Sequence, residues 1–178
     1  MTKDDINFER VYNNLKEREG GYTTGKNQKQ DEPTNMGIKQ STLDRYANAH
    51  PDKKFPHNVK DLKAHQAKEI YKSAYWDNTN IPRIENDRIR NAVFDMNVMS
   101  GTITTVKTVQ RVLNQTMNTD LPITGFLGPR TIGALNAIPY TDVDDFMNAL
   151  KHHRLLSLQK MKNWETAKNG WTARTNAY

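Results

Sequence analysis

Residues 8–22 read Phe8-Glu9-Arg10-Val11-Tyr12-Asn13-Asn14-Leu15-Lys16-Glu17-Arg18-Glu19-Gly20-Gly21-Tyr22. Phe8, Val11, Tyr12 and Leu15 recur at three- and four-residue intervals, the spacing that lines one face of an α-helix. Gly20 and Gly21 end that helix, since glycine readily takes the left-handed conformation that closes a helical C-terminus. The same periodicity runs downstream. Ser41 N-caps a short helix carrying Leu43 and Tyr46. Asn58 with Asp61 resembles a capping box for a helix from Val59 to Trp76, burying Leu62, Ile70 and Ala74. Ile89, Val93, Met96 and Met99 form the next stripe, closed at Gly101, and Val106, Val109 and Leu113 another. Pro129 fits a first helical position ahead of Ile132 and Leu135. Thr141 with Asp144 caps a last helix bearing Val143, Phe146, Met147, Leu150, Leu158 and Met161. The polar segment Tyr22–Asn35 is not helical; Tyr22–Thr24 and Asn35–Lys39 are expected to pair as a small hairpin. Residues 164–178 read as irregular. The fold class is therefore mainly α, in α+β form, with roughly six helices beside a minimal β-hairpin.

The 178 residues suit a single domain and carry 26 Lys and Arg against 20 Asp and Glu, a net charge of +6. With no cysteine, a disulfide scaffold, a Cys-based zinc site and a thiol nucleophile are excluded. No apolar run approaches the ~18 residues of a membrane span. The N-terminus is charged where a signal peptide is apolar, so synthesis in the cytoplasm and export by another route are expected. Basic and acidic side chains number 10 and 9 over residues 1–57, 10 and 7 over 58–138, and 6 and 4 over 139–178. Nucleic-acid binders concentrate their charge on one face. A diffuse excess fits an anionic polysaccharide better than nucleic acid.

Glu19 is the side chain best placed for chemistry. It follows a helix whose C-terminal end is the negative end of the macrodipole, an environment that favours a protonated carboxyl. Partial burial beside Tyr22 would act the same way. A carboxylic acid that keeps its proton near neutral pH suits general acid catalysis, and the two glycines leave room for a large substrate. The bland reading is an ordinary helix end with a surface Glu. Asp31 or Thr34 could face Glu19 across a cleft if the chain folds back, giving the pair of groups that cleaves a glycosidic bond. Alone, Asp31 and Glu32 read as a solvated loop. Tyr75 and Trp76 either stack on sugar rings or fill the core. Asp95 and Asn97 cap or bridge neighbouring elements. His152 and His153 point to different helix faces and bind no metal. Lys151, Arg154, Lys160 and Lys162 form a solvated face or, second, a face attracted to membrane or wall, and Trp171 with Arg174 docks the tail.

Several short stretches in order resemble glycoside hydrolase family 108, which comprises phage endolysin-type and secretion-linked muramidases. They are Glu19-Gly20-Gly21-Tyr22, Thr34-Asn35-Met36-Gly37-Ile38, Ile70-Tyr71 with Tyr75-Trp76, Phe94-Asp95-Met96-Asn97 with Ser100-Gly101 and Val109-Gln110, Gly125-Phe126-Leu127-Gly128-Pro129-Arg130-Thr131, and Gly170-Trp171 with Arg174. The resemblance spans residues 8–174. It implies a lysozyme-like fold with a catalytic part over 1–76 and, over 77–178, a helical part resembling a peptidoglycan-binding segment. It implies a peptidoglycan N-acetylmuramidase that uses Glu19 as catalytic acid, with Tyr22, Asn35, Tyr75 and Trp76 binding substrate. It implies no metal or organic cofactor, glycan strands as the partner, a monomer, no membrane insertion, and action on the cell wall after holin-type or dedicated export. The family's Asp-x-Gly-Gly-x-Thr is replaced by Lys29-Gln30-Asp31-Glu32-Pro33-Thr34. Asp31 then serves as second group after a local shift, or Thr34 positions the attacking water. The alternative is a wall-binding protein that has lost catalysis.

Overall fold

The structure is a computed structural model that describes residues 2–24 and 32–178. It divides into two compact units, one formed by Met1–Val11 with Tyr75–Tyr178 and the other by Tyr12–Ala74. The sequence places one division after residue 76; the structure places it after Ala74 and groups the first eleven residues with the C-terminal part. Helix α1 (Lys3–Lys16) contributes residues to both units.

In the unit Tyr12–Ala74, β1 (Thr34–Asn35) and β2 (Ile38–Lys39) pair antiparallel, with Thr34 opposite Lys39 and Asn35 opposite Ile38. The turn between them places Met36 at φ 49° and Gly37 at φ 75°. Two positive φ values in a two-residue turn match the twist of the flanking strands. The expected pairing of Tyr22–Thr24 with Asn35–Lys39 is thus revised. Asn35–Lys39 folds on itself, and Thr23 bridges to Thr34. Helix α2 (Gln40–Ala49) follows. Ser41 is not its N-cap but lies in its first turn, where its N–H and hydroxyl donate to the Glu32 carboxylate at 2.9 and 3.0 Å. A carboxylate from outside the helix therefore satisfies a free N-terminal donor. The helix expected from Val59 to Trp76 is three pieces: a 3₁₀ turn Val59–Asp61, α3 (Ala64–Lys72) and a π turn Ser73–Asp77. Asn58 caps the first by accepting from the Lys60 N–H, and Leu62 is extended. The π turn adds residues per revolution and resets the phase. Ala74 is consequently exposed and Trp76 buried. Leu15, Ile38, Leu43, Val59 and Ile70 make this unit's core.

The other unit holds α4 (Asp87–Ser100), α5 (Thr102–Thr116), α6 (Pro129–Asn136), α7 (Val143–Gln159) and α8 (Trp164–Asn176). Asn86 caps α4 by accepting from the Arg88 and Ile89 N–H groups, and Gly101 ends it at φ 76°. Phe8, Trp76 and Phe94 meet with ring centroids 5.6 to 6.4 Å apart. The long helix α7 opens through a 3₁₀ turn, with the Thr141 hydroxyl donating to Asp142 instead of capping. Met161 lies beyond its end and is exposed. The stretch read as irregular is largely α8. Among the described residues, no helix is long and apolar enough to cross a membrane.

Arg154 does not belong to a solvated face. It is 3% exposed and donates to Asp95 at 2.6 Å, while Arg174 donates to the other Asp95 oxygen at 2.9 Å. Asp95 therefore ties α4 to α7 and α8. Burial would raise its carboxyl, but the guanidinium groups of Arg174 and Arg154 outweigh that and hold it below the usual carboxylate range. A depressed folded midpoint means the stabilisation is complete above the unfolded midpoint near ~3.9 and is lost as pH falls through the folded one. Asp95→Asn leaves Arg154 buried without its counter-charge, and urea denaturation near neutral pH is expected to show a loss of about 3–5 kcal/mol. A loss within the ~0.5 kcal/mol of ordinary surface changes would show the clasp to be dispensable. Glu32 is also held below its usual range, chiefly by the Ser41 N–H. Glu32→Gln is expected to cost about 1 kcal/mol at pH 7, with the difference from the native chain vanishing on acidification as Glu32 protonates.

Candidate active site

Helix α1 stops at Lys16. The chain tightens beyond it, with the Arg18 N–H donating to Leu15 at 2.9 Å and the Glu19 N–H to Lys16 at 3.3 Å. Glu19 is thereby set just past the helix end. Gly20 and Gly21 do not end the helix by a left-handed turn, since neither has a positive φ. A Cβ on either would meet open space. Their contribution is lack of bulk beside the carboxyl.

A cavity of about 240 Å³ lies here within the unit Tyr12–Ala74. Tyr12, Leu15 and Lys16 of α1 form one side, Glu19 with Gly20 and Gly21 the rim, and Met36 and Tyr71 the rest. Tyr12, Leu15 and Tyr71 are buried, so a half-buried carboxyl faces a largely apolar wall. The Tyr12 and Tyr71 rings lie 5.7 Å apart at 54°. The Tyr71 hydroxyl donates to the Met36 carbonyl at 3.1 Å. A Cβ on Gly37 would collide with the Tyr71 hydroxyl and with Oε2 and Cδ of Glu19. Gly37 is therefore required twice, by its backbone and by the carboxyl seated against it.

Of the other expected site residues, Asp31 lies outside the described residues. Thr34 is 5% exposed; it exchanges backbone hydrogen bonds with Thr23 at 2.8 and 3.0 Å, and its hydroxyl donates to the Glu32 carbonyl at 3.4 Å. Asn35 is buried, and its amide donates to the Val59 and Lys60 carbonyls at 3.0 and 3.2 Å. Those bonds pin the hairpin to the 3₁₀ turn and leave the amide no path to a sugar. Tyr22 is exposed, its ring beneath the Lys60 ammonium, and does not line the cavity. Tyr75 and Trp76 belong to the other unit. Trp76 is 0% exposed, and its indole N–H donates to the Asp4 carboxylate at 3.2 Å. Sugar stacking by Trp76 is thus overturned: the side chain is sealed in the core and packs against Phe8 and Phe94.

Met36 and Gly37 fall within Asn35–Lys39, expected as one arm of a hairpin and not as its turn, and Tyr71 falls within the helix expected from Val59 to Trp76 and the family-like stretch Ile70-Tyr71. The signal for the turn was present, since a glycine between two short β-prone stretches is a hairpin mark. A larger cavity, about 350 Å³, lies in the other unit. It is lined by Ile81, Val93, Val106 and Leu127 with amide and hydroxyl side chains and the Asp77 carboxylate. It contains neither Glu19 nor any other residue expected to do chemistry. The smaller cavity is the candidate site because it joins the expected acid, Glu19, to the Tyr71 hydroxyl and open space.

Residues 12–101, which include every residue lining the smaller cavity, match the family model described as Glycosyl hydrolase 108. Among solved structures, the "Structure of Brucella abortus SagA" is similar at 26% identity with a TM-score of 0.76, covering 97% of this chain and 91% of that one. The mainly helical architecture with its two-stranded sheet is the expected lysozyme-like fold. A comparison with curated proteins gives no match. Gly37→Ala is expected to cost at least about 1–2 kcal/mol in chemical denaturation from its positive φ alone, and to shift the Glu19 carboxyl carbon resonance. Gly20→Ala and Gly21→Ala, facing open space, are expected to stay within about 0.5 kcal/mol of the native chain.

Proposed function

Because this chain belongs to the glycosyl hydrolase 108 family, we propose that it is an N-acetylmuramidase with Glu19 as its general acid. As a member it is a glycoside hydrolase of the lysozyme-like, peptidoglycan-acting kind. The finer reading names the bond, the β-1,4 linkage from N-acetylmuramic acid to N-acetylglucosamine, and a wall-degrading role of the endolysin type. The observation that carries it is the Glu19 carboxyl seated against Gly37 at the rim of an apolar-walled cavity.

In this reading Glu19 gives its proton to the glycosidic oxygen as the C–O bond lengthens. Positive charge builds on the sugar ring, and a nucleophile approaches from the opposite face. Asp31 is the candidate for that second role; Thr34 does not line the cavity, and its hydroxyl donates to the Glu32 carbonyl. The apolar wall formed by Tyr12, Leu15 and Tyr71 lowers the local polarity and strengthens the electrostatic interactions of the reacting groups. The net charge of +6 favours adsorption to an anionic wall.

Glu19→Gln keeps the side chain's shape and removes its acidic proton. Release of reducing sugar from purified peptidoglycan is expected to fall at least about a hundredfold, with the thermal midpoint unchanged. Near-native release by this variant would refute the assignment.

A further inference from the structure

Resting on the reading of Glu19 as the acid, we propose that Tyr71 is its positioning residue. Its hydroxyl holds the acid's proton before transfer and turns its own hydrogen onto the carboxylate afterwards. The geometry is specific. The Tyr71 residue is 2% exposed, its ring fixed against Tyr12 and its hydroxyl set against Gly37. That hydroxyl donates to the Met36 carbonyl, which the left-handed backbone of Met36 turns toward it. Glu19 Oε2 and the Tyr71 oxygen converge on the same face of Gly37, since one Cβ placed there would strike both. They are within hydrogen-bonding or water-bridging reach of each other.

A hydroxyl between a carbonyl and a carboxyl group can serve both charge states of the acid. While Glu19 is protonated, two hydrogen bonds run in series, from Glu19 to Tyr71 and from Tyr71 to Met36. If Glu19 ionises in the empty site, the single Tyr71 hydrogen must choose one acceptor. Its bond to a carboxylate is about twice as strong as a neutral one, which roughly balances the two lost. The Met36 carbonyl is then left without its donor. With substrate bound, the Glu19 O–H bond breaks as an O–H bond forms on the leaving sugar oxygen. That oxygen keeps the electron pair of the broken C–O bond, and water supplies the new oxygen at the anomeric carbon. The Tyr71 O–H bond never breaks; it rotates from Met36 to the new carboxylate, a contact made in the transition state and not in the ground state.

Tyr71→Phe keeps the ring and removes the hydroxyl. On purified peptidoglycan, kcat is expected to fall on the order of 10- to 100-fold with KM nearly unchanged. Independently of turnover, the Glu19 carboxyl carbon resonance, followed by NMR, is expected to shift in the variant. A native kcat, or a loss confined to KM or to folding, overturns the role of Tyr71. If Glu19→Gln is inactive while Tyr71→Phe matches the native chain, only this inference falls. If Glu19→Gln remains active, the acid assignment itself fails.

Discussion

Nothing larger than hydrogen fits on the face of Gly37 that meets Glu19 and Tyr71. That steric limit organises the smaller unit. The turn must be tight and twisted to bring Gly37 there, so Met36 carries a positive φ that an ordinary residue disfavours. Strain of this kind persists where neighbouring contacts over-determine the backbone. Here they do. Asn35 is bonded to the 3₁₀ turn, Thr34 to Thr23, and the Met36 carbonyl to Tyr71. A strained turn, a carboxyl and a buried hydroxyl are parts of one arrangement.

The support for that turn comes from groups that make no chemistry of their own. Glu32 holds the first turn of α2 through Ser41, and Gln40 links α2 to the segment after it by donating to the His57 carbonyl and accepting from the Val59 N–H. Each bond satisfies a backbone group that would otherwise be unpaired at a helix or turn end. The result is a two-stranded sheet too short to stand alone in water but braced on three sides by bonded neighbours.

The larger unit is held differently. Asp95, 2% exposed, accepts from two arginines on two later helices. A buried ion pair seldom adds much net stability over an apolar alternative, but removing one partner strands a charge, so the three side chains depend on each other. This clasp also anchors the C-terminal helix, whose sequence lacks an apolar stripe. Its inward positions are Ala167 and Thr175, too small or too polar to register as a hydrophobic pattern.

The sequence alone determined the helical class and most helix positions, and it singled out Glu19 as a candidate. Those readings are local: apolar spacing acts within a few residues of itself. It also marked Asp95 and Arg174 as groups that join elements. It could not tell that Trp76 is sealed in the core against Phe8 and Phe94, that Asn35 is spent on backbone carbonyls, or that Arg154 is buried. It could not single out Tyr71, because on one helix a core aromatic and a site tyrosine have the same spacing. Only the tertiary structure, which brings positions 19, 37 and 71 to one point, decides which hydroxyl meets the acid, since contact between distant residues depends on how the chain closes and not on its local pattern.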